Sequence, residues 1–500
     1  MSQPPIRLWY DVFKGYNAQH TDTLEQSREG LELVTAQNVI PDPLGDIATR
    51  DGFSHVRATA IAGAGSITGM SHGLRDASDK FVLTDSDGDT FIDDANPPVK
   101  LAGGTDYTDG VDNLTRFDTH ESLLIGVSRL RDLPQTVNTS GVRADLGGTP
   151  PYGLDYKVFG RRGHMFSPLY GGTTYLERIM FNSANDDHDV WADPTTINFL
   201  NFGRPGSGVQ VVGGEVYADH LMTFTSDAVF PVYTTPNATI PFSFQKEIFR
   251  EAGGGPVGAH AVVATAEGLY WISNNFDVKQ QVGLQVNSIG RAVQPFLRGL
   301  NDARRQFISG GFEPKNRMVV WNVSDGADTV HKTQLCLQID TGWFYIQTIQ
   351  CNALANRMVS GELQLIGGHN NGLFSTLYDG STTGDLQTAV SLIDADIITP
   401  RLHLGMPGIV KKVPYLCVEF DPIATEVVTV QYRLDDATAW TSFSESTTTM
   451  SGTDIQTAWY PIPGPFERIA LRFRDANSGE RKRELRIGFP QPRATRAVMN

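Results

Sequence analysis

The carboxylate-rich segment Asp85-Ser-Asp-Gly-Asp-Thr-Phe-Ile-Asp93-Asp94 comes closest, in residue type and spacing, to a metal site. Acidic side chains around a glycine suit a hard cation such as calcium, whose oxygen ligands must converge from a short loop. An EF-hand loop puts glycine at position 6 and a bidentate glutamate at position 12. Counting from Asp85 gives Thr90 and Asn96 at those places. A hairpin turn at Asp87-Gly88 accounts for the pattern without a metal. Asn185-Asp-Asp-His-Asp189, just ahead of Trp191, reads the same way, as a polar corner beside an aromatic anchor.

Other chemistry is equally sparse. The chain has no H-E-x-x-H and no G-x-x-x-x-G-K-[ST]. Gly253-Gly-Gly255 lacks the strand-then-helix setting that cradles a phosphate. Glycoside hydrolysis needs two carboxylates about 5 to 9.5 Å apart in one pocket, and none of the 56 acidic residues sits in a recognisable catalytic context. No catalytic, cofactor or metal residue is therefore assigned. The one charged cluster that stands out is basic: Arg291, Arg298, Arg304 and Arg305, in a segment expected to form a short helical excursion interrupted at Pro295. These four are candidate subunit-contact residues, facing either solvent or an acidic neighbour.

Five hundred residues exceed what one core usually serves, so two or three domains are expected. With 40% hydrophobic and 19% charged residues the chain has the material for a folded core. The formal charge of −15 argues against a surface that grips nucleic acid through many phosphates. Cys336, Cys351 and Cys417 have neither metal-ligand nor C-x-x-C spacing and read as buried filler. The opening residues show no signal peptide and no run approaches a membrane span, so the protein is expected to be made in a reducing cytoplasm and not secreted.

The elements that position these residues are strands. Tyr156, Val158 and Phe159 lead into a turn at Gly160–Gly163, and Met165 and Phe166 lead out of it. Alternating apolar residues broken by Gly, Asp and Asn recur in this way from about Gly69 to Tyr378, giving six hairpin-like units, give or take one. Trp191, Trp271, Trp343 and Trp440 all fall inside apolar strand patterns and are expected in cores. Leu24 to Val39 fits either a short helix or an extended arm, and Gly45 marks a reversal. From Lys411 six short strands follow: Tyr415–Phe420, Val427–Arg433, Ala439–Phe443, Trp459–Ile462, Ile469–Phe473 and Glu484–Gly488.

The order F-x-G-x-N, L, N-V, G-x-x-x-x-R-x-G-F, carried by Phe13, Gly15, Asn17, Asn38, Val39, Gly45, Arg50, Gly52 and Phe53, resembles the opening of bacteriophage tail nozzle and hub proteins. Arg433, Asp435 and Trp440, then Arg468, Leu471, Arg472 and Phe473, resemble the C-terminal module of the same proteins. The resemblance implies an all-β chain: an N-terminal extended arm (1–56), a β-propeller (57–390), a C-terminal antiparallel β-sandwich (391–490) and a tail (491–500). It implies a non-enzymatic virion protein of a short-tailed phage, assembled in the host cytoplasm as a homo-oligomeric ring, most plausibly a hexamer. Such a ring closes the DNA channel below the portal and adaptor, docks fibres or spike, and passes double-stranded DNA without sequence-specific binding or membrane contact. The alternative is a glycan- or receptor-binding, or glycosidase-type, propeller of a phage tail.

Overall fold

The computed structural model describes residues 6–10, 13–19, 31–41, 47–61, 63, 65–73, 81–182, 184–191, 198–203, 208–379, 384–386, 390–422, 426–450, 456–475, 482–490 and 493–494. Strand accounts for 51% of the structure and helix for 4%, so the chain is nearly all β, built from many small sheets. It divides into two compact units. The larger comprises His55–Gln334 and Ile349–Thr376; the smaller comprises Met1–Ser54, Leu335–Thr348 and Leu377–Asn500.

Five sheets of the larger unit follow one another along the chain, beginning with the strands Ile67–Ser71, Thr115–His120, Asp155–Phe159, Val211–Tyr217 and Val263–Ala264. A sixth and a seventh begin with Ser309–Glu313 and Ala353–Val359 and are larger, of nine and six strands. The third shows why the sequence folds this way. Tyr156 pairs with Met165 and Phe159 with Arg162, so the reversal is the two residues Gly160-Arg161, at φ 55° and 65°. Both central residues of such a tight hairpin need positive φ. Glycine meets that need at 160 and also a second one, since a Cβ there would lie 2.6 Å from Thr234 of the fourth sheet.

The cores lie between sheets, so each sheet's apolar face is covered by its neighbour. Val82 and Ile92 of the first meet Leu124 and Val137 of the second. Ile125 and Val127 of the second meet Tyr156 and Met165 of the third, together with Trp191. Phe166 and Ile179 meet Leu221 and Phe230 across the next junction, and Met222 and Phe224 meet Leu269 and Trp271 across the one after. Ile366 and Phe374 of the seventh sheet pack on Ile67 and Leu83 of the first. Full burial of one such side chain stabilises by about 1.5–3 kcal/mol. The first strands neighbour one another in the same order, and Ala353–Val359 lies beside both Ser309–Glu313 and Ile67–Ser71.

Three expectations are adjusted. Pro295 stands in the first turn of the helix Gln294–Arg298, where its missing N–H costs nothing, so it starts the helix and does not interrupt it. Trp191 and Trp271 are buried, whereas Trp343 and Trp440 are half-buried; the Trp440 ring lies 4.1 Å from the Arg433 guanidinium carbon. Leu24, Gly45 and most of 491–500 lie outside the described residues.

In the smaller unit one antiparallel sheet orders Ile6–Tyr10, Lys482–Pro490, Tyr415–Pro422 and Gln456–Pro461. Another includes Thr35–Gln37, Ala395–Ile398, Ile469–Asp475, Glu426–Leu434 and Thr441–Met450. Phe443 of the second stacks on Tyr460 of the first at 5.2 Å, which joins their inner faces. All six strands expected after Lys411 are present, with Ala439–Phe443 displaced to Thr441–Met450. Asp435, at φ 48°, turns one connection, and its Oδ1 accepts the N–H groups of Glu467 (2.7 Å) and Arg468 (3.0 Å).

Arg50 is the buried tie of this unit. Its guanidinium is 1% exposed and grips both oxygens of Asp385 at 2.7 and 2.5 Å. Its Nε donates to Asn38 Oδ1 at 3.1 Å, and Asn38 Nδ2 donates to Thr348 Oγ1 and the Asp394 carbonyl. Removing one partner of a buried ion pair strands the other charge, at a cost of about 3–5 kcal/mol. Asp385→Ala is therefore expected to destabilise the smaller unit by about 3–5 kcal/mol in chemical denaturation, and Asp385→Asn by less. A change within about 0.5 kcal/mol, the range of ordinary surface substitutions, would contradict that role for Arg50.

Candidate functional site

The first strands of the larger unit line a cavity of about 280 Å³. Charged residues are placed there among apolar ones. Arg116 of the second sheet donates to Asp155 of the third (3.1 Å), to Glu215 of the fourth (2.7 Å) and to the Ala259 carbonyl (3.0 Å). Lys157 donates to the other oxygen of Glu215 at 2.9 Å. Asp155 is fully buried; its Oδ1 accepts the N–H of Tyr156 and its Oδ2 that of Gly214. Burial pushes the Asp155 carboxyl above the usual range, with Arg116 and Lys157 opposing. Burial acts on Glu215 in the same sense, but Lys157 and Arg116 outweigh it and hold that carboxyl below the usual range.

Two cations and two carboxylates neutralise one another here, and every Asp155 oxygen is engaged by the backbone or Arg116. That arrangement braces three successive sheets and leaves Asp155 no reach toward a substrate, as general acid catalysis requires. His260 lines the same cavity and its Nε2 has no hydrogen-bond partner. Burial, with the Arg116 and Arg129 charges nearby, holds its pKa down at about 3.

A second group has the outline of a nucleophile and base. Ser375 Oγ lies 2.7 Å from His369 Nε2 and 2.8 Å from His55 Nδ1, while His369 Nδ1 faces the Gln350 carbonyl at 2.7 Å. A carbonyl only accepts, so His369 carries its proton on Nδ1, Ser375 donates to Nε2, and His55 donates to Ser375. Ser375 is fully buried and His369 is 4% exposed, so the hydroxyl and its base are out of reach of a substrate, while His55 is half-buried.

The residues singled out by sequence fall as follows. Arg291 and Arg298 are exposed. Arg304 is buried, paired with Asp112 and resting on Phe307. Arg305 donates to Asp302 (3.0 Å) and to the Asn274 carbonyl, and covers Phe276. Of the four, Arg304 and Arg305 thus spend their charge inside the chain. In the acidic hairpin Asp85 Oδ1 accepts the N–H groups of Asp87 and Asp89, Asp89 pairs with Lys100, and Asp93 with Arg57 and Arg357. Burial first, then Asp89 and Asp87, push the Asp85 carboxyl up to about 6 despite those two N–H bonds. Gly88 turns the loop at φ 79°. Among the described residues no three His, Cys, Asp or Glu side chains are grouped to hold a metal.

The brace of Arg116, Asp155 and Glu215 was missed. Its signal was present: a charged residue at an inward position of an otherwise apolar strand, as in Asp155-Tyr-Lys157.

No family model matches the chain, and no curated protein matches it. Among solved structures it is similar to the computationally designed protein Ika8 at 12% identity, covering 65% of this chain and 100% of that one, with a TM-score of 0.37. It is also similar to the extracellular domain of a putative hybrid two-component system from B. thetaiotaomicron (10% identity, 90% and 63% covered, TM-score 0.42). The N-terminal domain of Nup159 gives 10% identity, 68% and 98% covered, and a TM-score of 0.38. At these scores none of them bears on what this chain does.

Three buried imidazoles make the larger unit acid-sensitive. Burial holds His164 and His260 at about 3 and His331 at about 4, so each stays neutral in the fold. Unfolded histidines titrate near ~6.5, so between there and about 3 to 4 the unfolded chain binds protons the native chain does not. Stability is full above ~6.5 and falls with pH through that window, by up to ~1.4 kcal/mol per pH unit for each histidine. Urea midpoints measured from pH 7 to 4 are expected to fall steeply, and His164→Gln to flatten the slope by up to one proton. An unchanged slope in that variant would refute the assignment.

Proposed function

We propose that this chain is a structural protein of a bacteriophage tail, a nozzle or hub subunit that assembles as a ring and conducts the genome. In this reading the larger unit is a seven-bladed β-propeller and the smaller unit an antiparallel β-sandwich carrying the N-terminal strands. The observation that supports it most is the succession of first strands returning to its start, with a hydrophobic core at most junctions. A propeller so closed is a stiff wedge, and stiff wedges suit rings made by heterologous contacts. The charged residues nearest the middle support the same reading, since they brace the sheets and are not presented to a substrate.

The resemblance of Asn38, Arg50 and Phe53 to the opening of nozzle and hub proteins adds support of a second kind. These residues meet in the buried tie of the smaller unit, where such a motif has a structural reason to exist. The net charge of −15 suits a wall along which DNA slides without being held.

Negative-stain imaging and native mass spectrometry of the chain, alone and with its neighbouring portal, adaptor and fibre proteins, test the proposal. A closed ring, with six copies the expected number, is the predicted result. Reversing the exposed charges with Arg291→Glu and Arg298→Glu is expected to yield monomers that melt as the parent does. A chain that stays monomeric with every tail partner would overturn the reading.

A further inference from the structure

We propose that a second cavity of the larger unit, of about 420 Å³, binds a sugar acid, a polyhydroxylated ring carrying one carboxylate. This goes beyond the structural role and does not depend on it. The volume lies within the range of small-molecule sites, roughly 300–1,000 Å³. The walls include Arg129, Gln210, Ser226, Asp227, Asn274 and Gln306. Gln210, Asp227 and Gln306 are exposed, which keeps the cavity within reach of solvent.

Arg129 is the centre of the argument. Its guanidinium lies 4.4 Å from the centre of the Phe307 ring and donates to Gln306 Oε1 at 2.7 Å. Among the described residues no carboxylate is within 4.0 Å of it: nearby Asp112 pairs with Arg304, which rests on the same ring. Arg304 is 7% exposed, and its Nε and Nη2 find no hydrogen-bond partner. Burial, together with Arg131, lowers the Arg129 pKa more than Asp112 restores it. A cation held in this way, beside a cavity and with its nearest carboxylate, Asp112, paired to Arg304, calls for an anionic ligand, and a planar guanidinium pairs best with a carboxylate or phosphate.

The rest of the wall chooses between these. Asp227 contributes a carboxylate that opposes a doubly charged phosphate but accepts bonds from hydroxyls. Gln210, Ser226 and the Gln306 amide nitrogen supply donors and acceptors to a ring of hydroxyl groups, while Asn274 Nδ2 donates to the Gly255 and Pro256 carbonyls. A single carboxylate facing Arg129, with hydroxyls toward Gln210, Ser226, the Gln306 amide nitrogen and the Asp227 oxygen that does not accept the Gly253 N–H, gives each of these a partner. A free sugar acid and the end of a longer acidic saccharide present the same recognised group.

Calorimetric titration of the full chain with glucuronate, glucose, inorganic phosphate and a glucuronate-terminated disaccharide provides the test. Glucuronate is expected to bind about tenfold or more tighter than glucose or phosphate, because only it matches both the charge and the hydroxyl partners. Arg129→Gln is expected to weaken glucuronate about tenfold or more, and Gln306→Ala to weaken it less, with both variants melting as the parent does. Disaccharide binding equal to or tighter than that of the monomer assigns a saccharide terminus, and binding of the monomer alone assigns a free acid. Absence of glucuronate binding up to about 20 mM, equal binding of glucose, preference for phosphate, or indifference to Arg129→Gln in a folded variant would each overturn the proposal.

Discussion

A sheet of four or five short strands cannot cover its own faces, and that constraint governs the larger unit. Each sheet must be roofed by the next, so its apolar residues are shared across a junction. The first sheet has no predecessor along the chain, and Ile67 and Leu83 would be left open unless a later segment returned. Ile366 and Phe374 fill that place, and Asn352 Nδ2 donates to the Ile67 carbonyl at 3.1 Å. That contact supplies the missing half of the core.

Charge is used in the same service. Arg116 reaches from one sheet to the next two, and Arg50 ties Asn38 to Asp385 across more than three hundred positions of sequence. Buried pairs like these contribute little net stability but penalise any arrangement that separates them. They therefore specify which neighbours each strand keeps. The acidic hairpin at Asp85 belongs to this pattern: its carboxylates are distributed among turn N–H groups and basic side chains, so what resembles a ligand set is a corner. Arg129 differs: it lies over Phe307 and donates to Gln306, and among the described residues no carboxylate is within 4.0 Å of it.

Local structure was legible where side-chain alternation and turn chemistry act over a few residues. The Tyr156 hairpin, the turn at Asp87-Gly88 and the six strands after Lys411 all follow from such patterns. Pro295 was misjudged because a proline disrupts a helix in its interior and favours it in the first turn, and sequence alone did not locate that turn. Pairings between distant segments left no local trace. Ile6–Tyr10 lies on Lys482–Pro490, and Thr35–Gln37 on Ala395–Ile398, so the first residues share a unit with the last. Cavities are invisible for the same reason: Arg129 and Gln306 stand 177 positions apart.

The central claim is that the first and last sheets of the larger unit meet. Ile67→Cys places a thiol at a position with no exposure, inside the core shared by those two sheets. The rate of its reaction with a thiol reagent in native buffer measures the contact directly. The account predicts that this thiol reacts no faster than buried Cys351, and only as the protein unfolds. Labelling at the rate of a free thiol, in a variant that is otherwise folded, would mean that the two sheets stand apart.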